Sequence, residues 1–430
     1  MPQIKDLVRL QLEKIVKGGD CIAHLNDNVY FVHYGLPGEE VIAEVQHIQK
    51  NIIAADVVEV IRPSAHRIAP PCEYFGSIGC GGCDFQHIEL QYQRELKKDI
   101  IRQCLNFIGK LDIEFEVIPA YPQEDGIRWR NRIRLAANES GKPGMRQRRS
   151  HSIIPIDDCL ISEVDLSDLK YLKKQWHSGC EIEILFSHDK STKLPKVSSL
   201  VYTREINSKG RRQKYPPKSS KILHPINNYD IPLQRIDTIE KTFSFAQVRD
   251  FEYRFSPFSF FQIHKHAAEL LLDIVLDYVN PQPGENGVDL YSGVGLFSLP
   301  LAKAVGESGS IVAVESNTYA AQDAEYNLRH IPQAKVIQGN VAAHLLEQFN
   351  PDFVVIDPPR SGIEKGALQN LLLKRNLTKI IYVSCDPATF ARDAKIIILS
   401  GWDIKRFMAA DIFPMTSHTE TVAMFERNNN

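Results

Sequence analysis

The chain has 430 residues, of which 43% are hydrophobic and 24% charged, and its formal net charge is -2. This length suggests about three domains, and the composition excludes collagen-like, disordered and small disulfide-rich proteins. No stretch reaches the roughly 18 apolar residues of a membrane helix, since Asp273 and Asp277 interrupt even AELLLDIVLDYV. Lys5, Asp6 and Arg9 near the start argue against a signal peptide, so we expect a cytoplasmic protein that crosses no membrane.

The first 60 residues consist of short alternating segments separated by turn sequences such as KGGD and LPGE. This pattern predicts about five strands in a small antiparallel β-barrel of the OB-like kind. Such barrels often bind single-stranded nucleic acid, although the fold alone does not establish that use. A helix of mixed polarity is predicted to follow at residues 88–108.

Eight cysteines in a reducing compartment should be free, buried, catalytic or metal-bound. Three of them, Cys72, Cys80 and Cys83, lie in a glycine-rich loop, and Cys159 is a plausible fourth partner. Four thiolates suit either an iron–sulfur cluster or tetrahedral zinc. The sequence therefore predicts a metal centre, with reduced cysteines that bind nothing as the alternative.

Two basic runs lie in the irregular, strand-like region that follows. Residues 128–150 contain eight Lys or Arg against one acid, and residues 209–221 contain six with no acid. In the first run, arginines alternate with other residues, and a period of two would place their side chains on one face of a strand. These are Arg128, Arg130, Arg132 and Arg134. The pattern predicts a surface that follows RNA phosphates, and a solvated basic face is the alternative.

Strand and helix patterns alternate after Pro257, which predicts a doubly wound sheet with ligands at the carboxyl ends of its strands. The predicted fold class is α/β. A Rossmann-like domain would cover residues 256–430, a β-barrel residues 1–60, and a central mainly β domain residues 61–255. The central domain would carry the cysteine loop and the basic strands.

The first turn of the predicted Rossmann-like domain contains Gly293 and Gly295, and Glu315 ends the next strand. Glycines let the backbone approach a ligand, and an acid at this distance can bind ribose hydroxyls. Ser298 stands where a dinucleotide site would prefer a third glycine, so S-adenosylmethionine is the better candidate. An incidental tight loop is the alternative.

Cys385 follows the fifth strand and directly precedes a helix. A helix N-terminus lowers the pKa of a thiol and favours a nucleophilic thiolate. The sequence thus predicts a reactive cysteine beside the cofactor, although lone buried cysteines more often serve packing. Asp357, in the Asp-Pro-Pro sequence that ends the fourth strand, is placed to accept a hydrogen bond from cofactor or substrate.

Five co-linear motifs resemble those of the bacterial RNA uracil-5-methyltransferase family: FFQIH, DLYSGVGLFSLPLA, VVIDPPRSG, YVSCDPATFARD and DIFPMTSHTETV. FVHYGLPGEEVIAEV resembles the TRAM domain of its rRNA-modifying members. The resemblance implies transfer of a methyl group from S-adenosylmethionine to the 5-carbon of uracil, with Cys385 as nucleophile and Glu420 as base. It assigns cofactor binding to five residues: Gln262, Tyr291, Glu315, Asn340 and Asp357.

The same resemblance favours a 4Fe–4S cluster on Cys72, Cys80, Cys83 and Cys159, and large-subunit (23S) rRNA over tRNA as the substrate. We also expect a monomer. The chain departs from the family pattern at three positions, with His264 where Asn is usual, Ser292 where Cys is frequent and Asp386 where Asn is frequent.

Three other classes of protein share parts of this sequence pattern. DNA cytosine-5-methyltransferases have a proline before the nucleophile, whereas Ser384 precedes it here. Amino-group methyltransferases end their Pro-Pro loop in an aromatic residue, whereas Arg360 follows here. A non-catalytic RNA-binding or iron–sulfur electron-transfer protein would leave Cys385, Glu420 and the glycine turn unexplained.

Overall fold

The computed structural model describes residues 2–169, 172–187, 196–202 and 243–428. The second basic run, residues 209–221, lies outside these ranges. Among the helices that the described ranges contain, none is long and apolar enough to cross a membrane.

The N-terminal part is a six-stranded sheet that encloses its own apolar core, in agreement with the predicted small β domain. Its strand order is β1-β5-β6-β4-β3-β2, and only the β4–β6 pair is parallel. Alternating residues such as Val41, Ala43 and Val45 point into the core because side chains along a strand alternate between faces. The strands are β1 (Leu7–Gln11), β2 (Lys14–Ile15), β3 (Cys21–Leu25), β4 (Asn28–His33), β5 (Glu40–Gln49) and β6 (Ile52–Arg62).

Helix α1 (Leu90–Cys104) continues into a single π-turn, Leu105–Gly109, close to the predicted bounds. One side of α1 contributes Leu96 and Ile100 to the N-terminal core. Another side of the helix contributes Ile101 and Cys104 to a core of the C-terminal domain. The helix therefore joins two domains through apolar packing, which is the main stabilising interaction between buried surfaces.

The central domain contains a five-stranded antiparallel sheet with the order β10-β9-β8-β11-β12. Its strands are β8 (Arg132–Ala137), β9 (Pro143–Arg146), β10 (Ile153–Pro155), β11 (Glu181–Ser187) and β12 (Lys196–Tyr202). Two further elements of the predicted central region belong elsewhere. Strand β7 (Val117–Pro119) is the edge of the C-terminal sheet, and the hairpin of β13 (Ser244–Val248) and β14 (Phe251–Phe255) packs into a C-terminal core. The C-terminal domain thus draws on residues before the predicted boundary at 256.

The C-terminal domain is an eight-stranded sheet with the order β17-β16-β15-β18-β19-β21-β20-β7. Its other strands are β15 (Asn286–Leu290), β16 (Ser310–Glu315), β17 (Ala334–Gln338), β18 (Phe353–Ile356), β19 (Lys379–Ser384), β20 (Trp402–Asp411) and β21 (Glu420–Arg427). Its helices are α2 (Ala267–Val279), α3 (Ser298–Val305), α4 (Thr318–Leu328), α5 (Ala343–Leu346), α6 (Lys365–Leu372) and α7 (Pro387–Leu399).

Strands β15 to β19 are parallel, and their alternate residues enter two different cores, one on each face of the sheet. This confirms the predicted doubly wound domain. Strand β21 runs antiparallel to β19, with Ser384 opposite Thr421. The start of β21 therefore lies at the carboxyl edge of the parallel strands, where ligands bind in such folds.

A fully buried ion pair fixes α1 to the C-terminal sheet. Lys97 Nζ lies 2.5 Å from Asp411 Oδ1 at the end of β20, and neither side chain is exposed to solvent. Arg94 is a weaker second partner of Asp411, at 3.4 Å. The pair holds the segment between β20 and β21, because Lys97 also donates to the carbonyl of Phe413.

Replacing Lys97 with Met should destabilise the protein by about 3 kcal/mol, because it leaves a buried carboxylate with only Arg94 for compensation. Adding Asp411→Asn should recover most of that loss. Lys98→Met, on the more exposed face of α1, is the matched control, and its surface pair with Glu116 should contribute about 0–1 kcal/mol. Urea denaturation measures all three, and a double variant no more stable than Lys97→Met would contradict the expectation.

Candidate active site

The candidate nucleophile and base meet because β21 is antiparallel to its neighbour. Cys385 directly follows β19, Glu420 begins β21, and the register pairs Ser384 with Thr421 between them. A cavity of about 250 Å³ opens beside Cys385. Its lining comes from five separate segments: Lys17, Gly18, Ile100, Arg360, Cys385, Asp386, Pro387, Ser417, His418 and Thr419.

Glu420 is a buried carboxyl group with an unusual environment. Its side chain is almost fully enclosed, and Oε1 has no hydrogen-bond partner within the described structure. Burial raises the pKa of Glu420 well above its usual range, and the nearby Asp357 adds to that rise. Arg360 opposes the shift. A carboxyl group with a raised pKa is suited to accept and return a proton.

Burial also raises the pKa of the Cys385 thiol to about 12, and the carboxylates of Glu420 and Asp357 add to the effect. The expectation that the helix N-terminus lowers this pKa is therefore wrong for the protein without ligands. The physical reason is that burial of the thiol is the largest influence on its pKa. Asp386, which caps α7 by accepting a hydrogen bond from Thr389 N at 2.9 Å, adds a smaller rise. Arg360 lowers the pKa of Cys385, but by less than burial raises it.

A second cavity lies at the ends of β15 and β18 and brings together three of the predicted cofactor residues, Gln262, Tyr291 and Asp357. The glycine turn forms its floor, and Gly293 has the positive φ of +56° that glycine readily adopts. Glu315 lies against this turn and accepts a hydrogen bond from Gly293 N at 2.9 Å.

The predicted role of Asn340 in cofactor binding stays a prediction. This residue is exposed two residues after β17 and is not part of the cavity lining. Asn340 follows β17, which is the edge strand of the sheet and lies two strands away from β15.

Buried carboxylates surround the cofactor cavity. Burial raises the pKa of Asp289 to about 7, although a short hydrogen bond from Ser298 Oγ favours its ionised form. Burial and the charge of Asp289 raise the pKa of Asp357 to about 7 as well. Uncompensated acids of this kind become more stable when a cation binds beside them.

The four predicted cysteines surround one cavity in the central domain. Cys72, Cys80, Cys83 and Cys159 line it together with Arg130. Burial raises the pKa of all four thiols, and for Cys80 the value is about 11. In the described ranges, no three His, Cys, Asp or Glu side chains are grouped closely enough to hold a single metal ion.

The prediction that four arginines share one strand face is wrong. Strand β8 begins only at Arg132, and Arg128 has a positive φ of +53°, so the four side chains do not share one strand face. Arg128 binds Asp158 at 2.6 Å, Arg132 binds the buried Glu183 at 2.6 Å, and Arg134 binds Glu183 at 3.2 Å. Arg130 faces the cysteine cavity. Arg130, Arg132 and Arg134 nevertheless line one cavity of about 380 Å³, and their binding to RNA phosphates stays a prediction.

Sequence reasoning missed three residues of the cavity beside Cys385. Arg360 lies within 3.4 Å of His418, and both line the cavity. The position of Arg360 directly after the Pro-Pro pair could have indicated that this residue belongs to the site. Lys17 comes from the N-terminal sheet, and nothing near it in the sequence indicates that it reaches this cavity.

Comparisons with known proteins agree with this geometry. Residues 339–428 match the family described as tRNA (uracil-5-)-methyltransferase, and residues 260–376 match the methyltransferase small domain. The crystal structure of a tRNA (uracil-54, C5)-methyltransferase from Pyrococcus abyssi, in complex with S-adenosyl-L-homocysteine, has the same fold. It superposes with a TM-score of 0.70 at 24% identity and covers 97% of this chain and 99% of its own.

Curated relatives match along nearly the whole chain. One from Streptomyces avermitilis, described as an uncharacterized RNA methyltransferase, is 33% identical over 97% of both chains. Another, the 23S rRNA (uracil(1939)-C(5))-methyltransferase RlmD of Acinetobacter baumannii, is 30% identical over 97% of this chain and 95% of its own length. The chain therefore belongs to the RNA (uracil-5-)-methyltransferase family.

Proposed function

We propose that this protein transfers a methyl group from S-adenosylmethionine to the 5-carbon of a uridine in 23S rRNA. The observation that carries the proposal is the strand register that brings Cys385 and Glu420 close together, so that the charge of Glu420 raises the pKa of Cys385. Asp357, which lines the second cavity, raises the pKa of both groups. The full-length relative named for 23S rRNA supports rRNA as the substrate. The family name at residues 339–428 makes tRNA the alternative.

Uracil needs covalent activation, because its 5-carbon is a poor nucleophile. In the proposed reaction the Cys385 thiolate adds to the 6-carbon, and the electron pair of the 5,6 double bond passes into an enolate. The 5-carbon then takes the methyl group, and the C–S electron pair of the sulfonium stays on sulfur in the departing S-adenosylhomocysteine. Glu420 removes the proton from the 5-carbon, and the bond between the 6-carbon and sulfur breaks to release the thiolate.

The charges of the site support this order of events. Both Cys385 and Glu420 have raised pKa values in the unliganded protein, so their neutral forms are favoured there. A sulfonium cation beside Asp357 would favour ionised groups across the site. Methyl-donor binding would thus prepare Cys385 for addition and leave Glu420 able to take a proton.

The target uridine must leave the base stack for this chemistry, since its 6-carbon is not accessible inside a helix. Phe260 is 60% exposed and lines the cofactor cavity. An exposed aromatic ring at this position can stack on an unpaired base.

We further propose that the four cysteines hold a 4Fe–4S cluster. The donor set fits, because four thiolates on one enclosed cavity match the usual ligands of such a cluster. Arg130 fits as well, since its buried charge has no carboxylate partner among the described residues and would be compensated by an anionic cluster. The cluster would supply structural support there. Asp84, the residue after Cys83, accepts hydrogen bonds from Ser417 in the segment that leads to Glu420.

Variants of the two catalytic candidates should stop the reaction at different stages. Cys385→Ala should form no covalent complex with RNA and no 5-methyluridine, because no thiolate activates the base. Glu420→Gln should add the thiolate and transfer the methyl group but release product at least about 100-fold more slowly, since proton removal fails. Denaturing gels with labelled RNA would show an adduct only for Glu420→Gln. Normal turnover by Glu420→Gln would assign the proton to another group, and methylation by Cys385→Ala would overturn the mechanism.

Discrimination between methyl donor and demethylated product should depend on pH. Asp357 has a pKa of about 7, so its carboxylate is largely neutral below that pH and ionised above it. S-adenosylmethionine carries a sulfonium charge that S-adenosylhomocysteine lacks. The ratio of the two affinities should therefore rise about tenfold in favour of S-adenosylmethionine as pH increases through 7.

Isothermal titration of both ligands across this range measures the ratio. Asp357→Asn should reduce the pH dependence of this ratio, and Asp289, whose pKa is also about 7, should account for what remains. Asp277→Asn removes an exposed acid that pairs with Arg406 on the protein surface, and it should leave the pH dependence unchanged. An unaltered pH dependence in Asp357→Asn would show that other acids supply the discrimination.

Anaerobically purified protein should be brown and contain about four iron and four sulfide ions per chain. Cys80→Ser and Cys159→Ser should each lower the iron content, because each removes one ligand. Cys104→Ser is the matched control, since Cys104 is buried in a C-terminal core away from the cysteine cavity. Elemental analysis that finds one zinc and no labile sulfide would contradict the cluster.

A further inference from the structure

A turn of the N-terminal sheet reaches the reaction cavity. This KGGD turn, Lys17-Gly18-Gly19-Asp20, connects β2 to β3, and Lys17 and Gly18 line the same cavity as Cys385. Lys17 Nζ lies 2.5 Å from Asp386 Oδ2, in the residue that follows Cys385. A cation from another domain is therefore held directly beside the candidate nucleophile.

The KGGD turn is fixed in this position from both sides. Gly19 has a φ of +82°, and a Cβ at this residue would lie 2.9 Å from the Cβ of Ser417, so only glycine permits the approach. Asp20 is held by His33 at 2.9 Å and by Arg148 at 3.0 Å. The KGGD turn is thus packed closely against Ser417 in the segment that leads to Glu420.

Asp386 is equally restrained. Its Oδ1 caps helix α7 at Thr389 N, and its Oδ2 receives Lys17, so the carboxylate cannot turn away from the cavity. Lys17 and the cap both hold the pKa of Asp386 below its usual value, although burial opposes them. A fixed negative charge at this place works against ionisation of the neighbouring thiol.

The charges that face Cys385 come from every element packed around it. Acids predominate, and only two side chains in the cavity lining carry a permanent positive charge. The acids are Glu420, Asp357 and Asp386, the cations are Arg360 and Lys17, and the titratable neighbour is His418. Loss of Lys17 would leave Arg360 as the single permanent cation in the cavity lining, with the charge of Asp386 no longer compensated by Lys17.

We propose that Lys17 is a positioning residue for methyl transfer, whose ammonium group neutralises Asp386 and thereby permits thiolate formation at Cys385. The role of Cys385 rests on the proposed function. The N-terminal domain then takes part in the chemistry in addition to any contact with RNA.

The test measures thiolate formation without RNA or methyl donor. Full-length protein is treated with iodoacetamide over a range of pH, and mass spectrometry follows alkylation of the peptide that contains Cys385. Lys17→Met should slow alkylation at a given pH by roughly threefold to tenfold, and Asp386→Asn should accelerate it by a similar factor. Asparagine can still accept the bond from Thr389, so the cap of α7 is kept.

The double variant Lys17→Met/Asp386→Asn should return to within about twofold of the unmodified protein, because neither the charge nor its partner is then present. Lys14→Met is the matched control. Lys14 lies in β2, three residues before Lys17, and its ammonium group lies over the ring of Phe107. Its removal should leave the alkylation profile unchanged.

Superimposable pH profiles for Lys17→Met and the unmodified protein would overturn the proposal. A double variant as slow as Lys17→Met would overturn it too, since the effect would then not pass through Asp386. Failure of the proposed function is a separate result: 5-methyluridine formation by Cys385→Ala would remove the catalytic role of Cys385, whereas the alkylation profiles alone decide whether Lys17 controls its ionisation.

Discussion

The antiparallel placement of β21 between β19 and β20 is the constraint on which the site depends. Parallel strands alone would bring only their carboxyl ends to the ligand edge of the sheet. Because β21 runs the other way, its first residue arrives at that edge, opposite the last residue of β19. Backbone hydrogen bonds therefore fix the distance between Cys385 and Glu420, and no flexible loop has to bring them together.

The same arrangement concentrates acidic groups in a space with little water. Asp289, Asp357 and Glu420 all have raised pKa values, and in each case burial is the largest cause. Burial and mutual repulsion make the ionised forms of these acids unfavourable. A cationic ligand that binds beside them would reduce this cost. The repulsion among these buried acids would thus also be the source of the proposed selectivity for a sulfonium.

Much of the C-terminal domain could be predicted from the sequence, because its strands and helices alternate with clear periodicity and its motifs lie at strand ends. The four cysteines could be grouped for a similar reason, since the short spacing of three of them in a glycine-rich loop is a local feature. The sign of the pKa shift at Cys385 could not be predicted. Burial of the thiol in the folded protein is its largest cause, and the charges of Glu420 and Asp357, which are not sequence neighbours of Cys385, add to it.

The arginine stripe failed for a related reason. A period of two predicts which residues share a strand face but not which side chains pack against that face. Here Glu183 of β11 binds both Arg132 and Arg134, and Arg130 is enclosed with the cysteines. The contact of Lys17 with Asp386 likewise joins positions 369 residues apart, which no local pattern encodes.

Helix α1 has a practical consequence for anyone dividing this chain into fragments. Its residues complete two apolar cores at once, and the strand that follows it, β7, closes the edge of the C-terminal sheet. A recombinant piece cut at the start of the Rossmann-like pattern would expose the groove left by α1, an unpaired sheet edge and the unpaired Asp411. The methyltransferase domain of this enzyme is therefore not an independent folding unit that begins at the Rossmann-like pattern. A fragment that keeps both α1 and β7 must begin no later than Leu90.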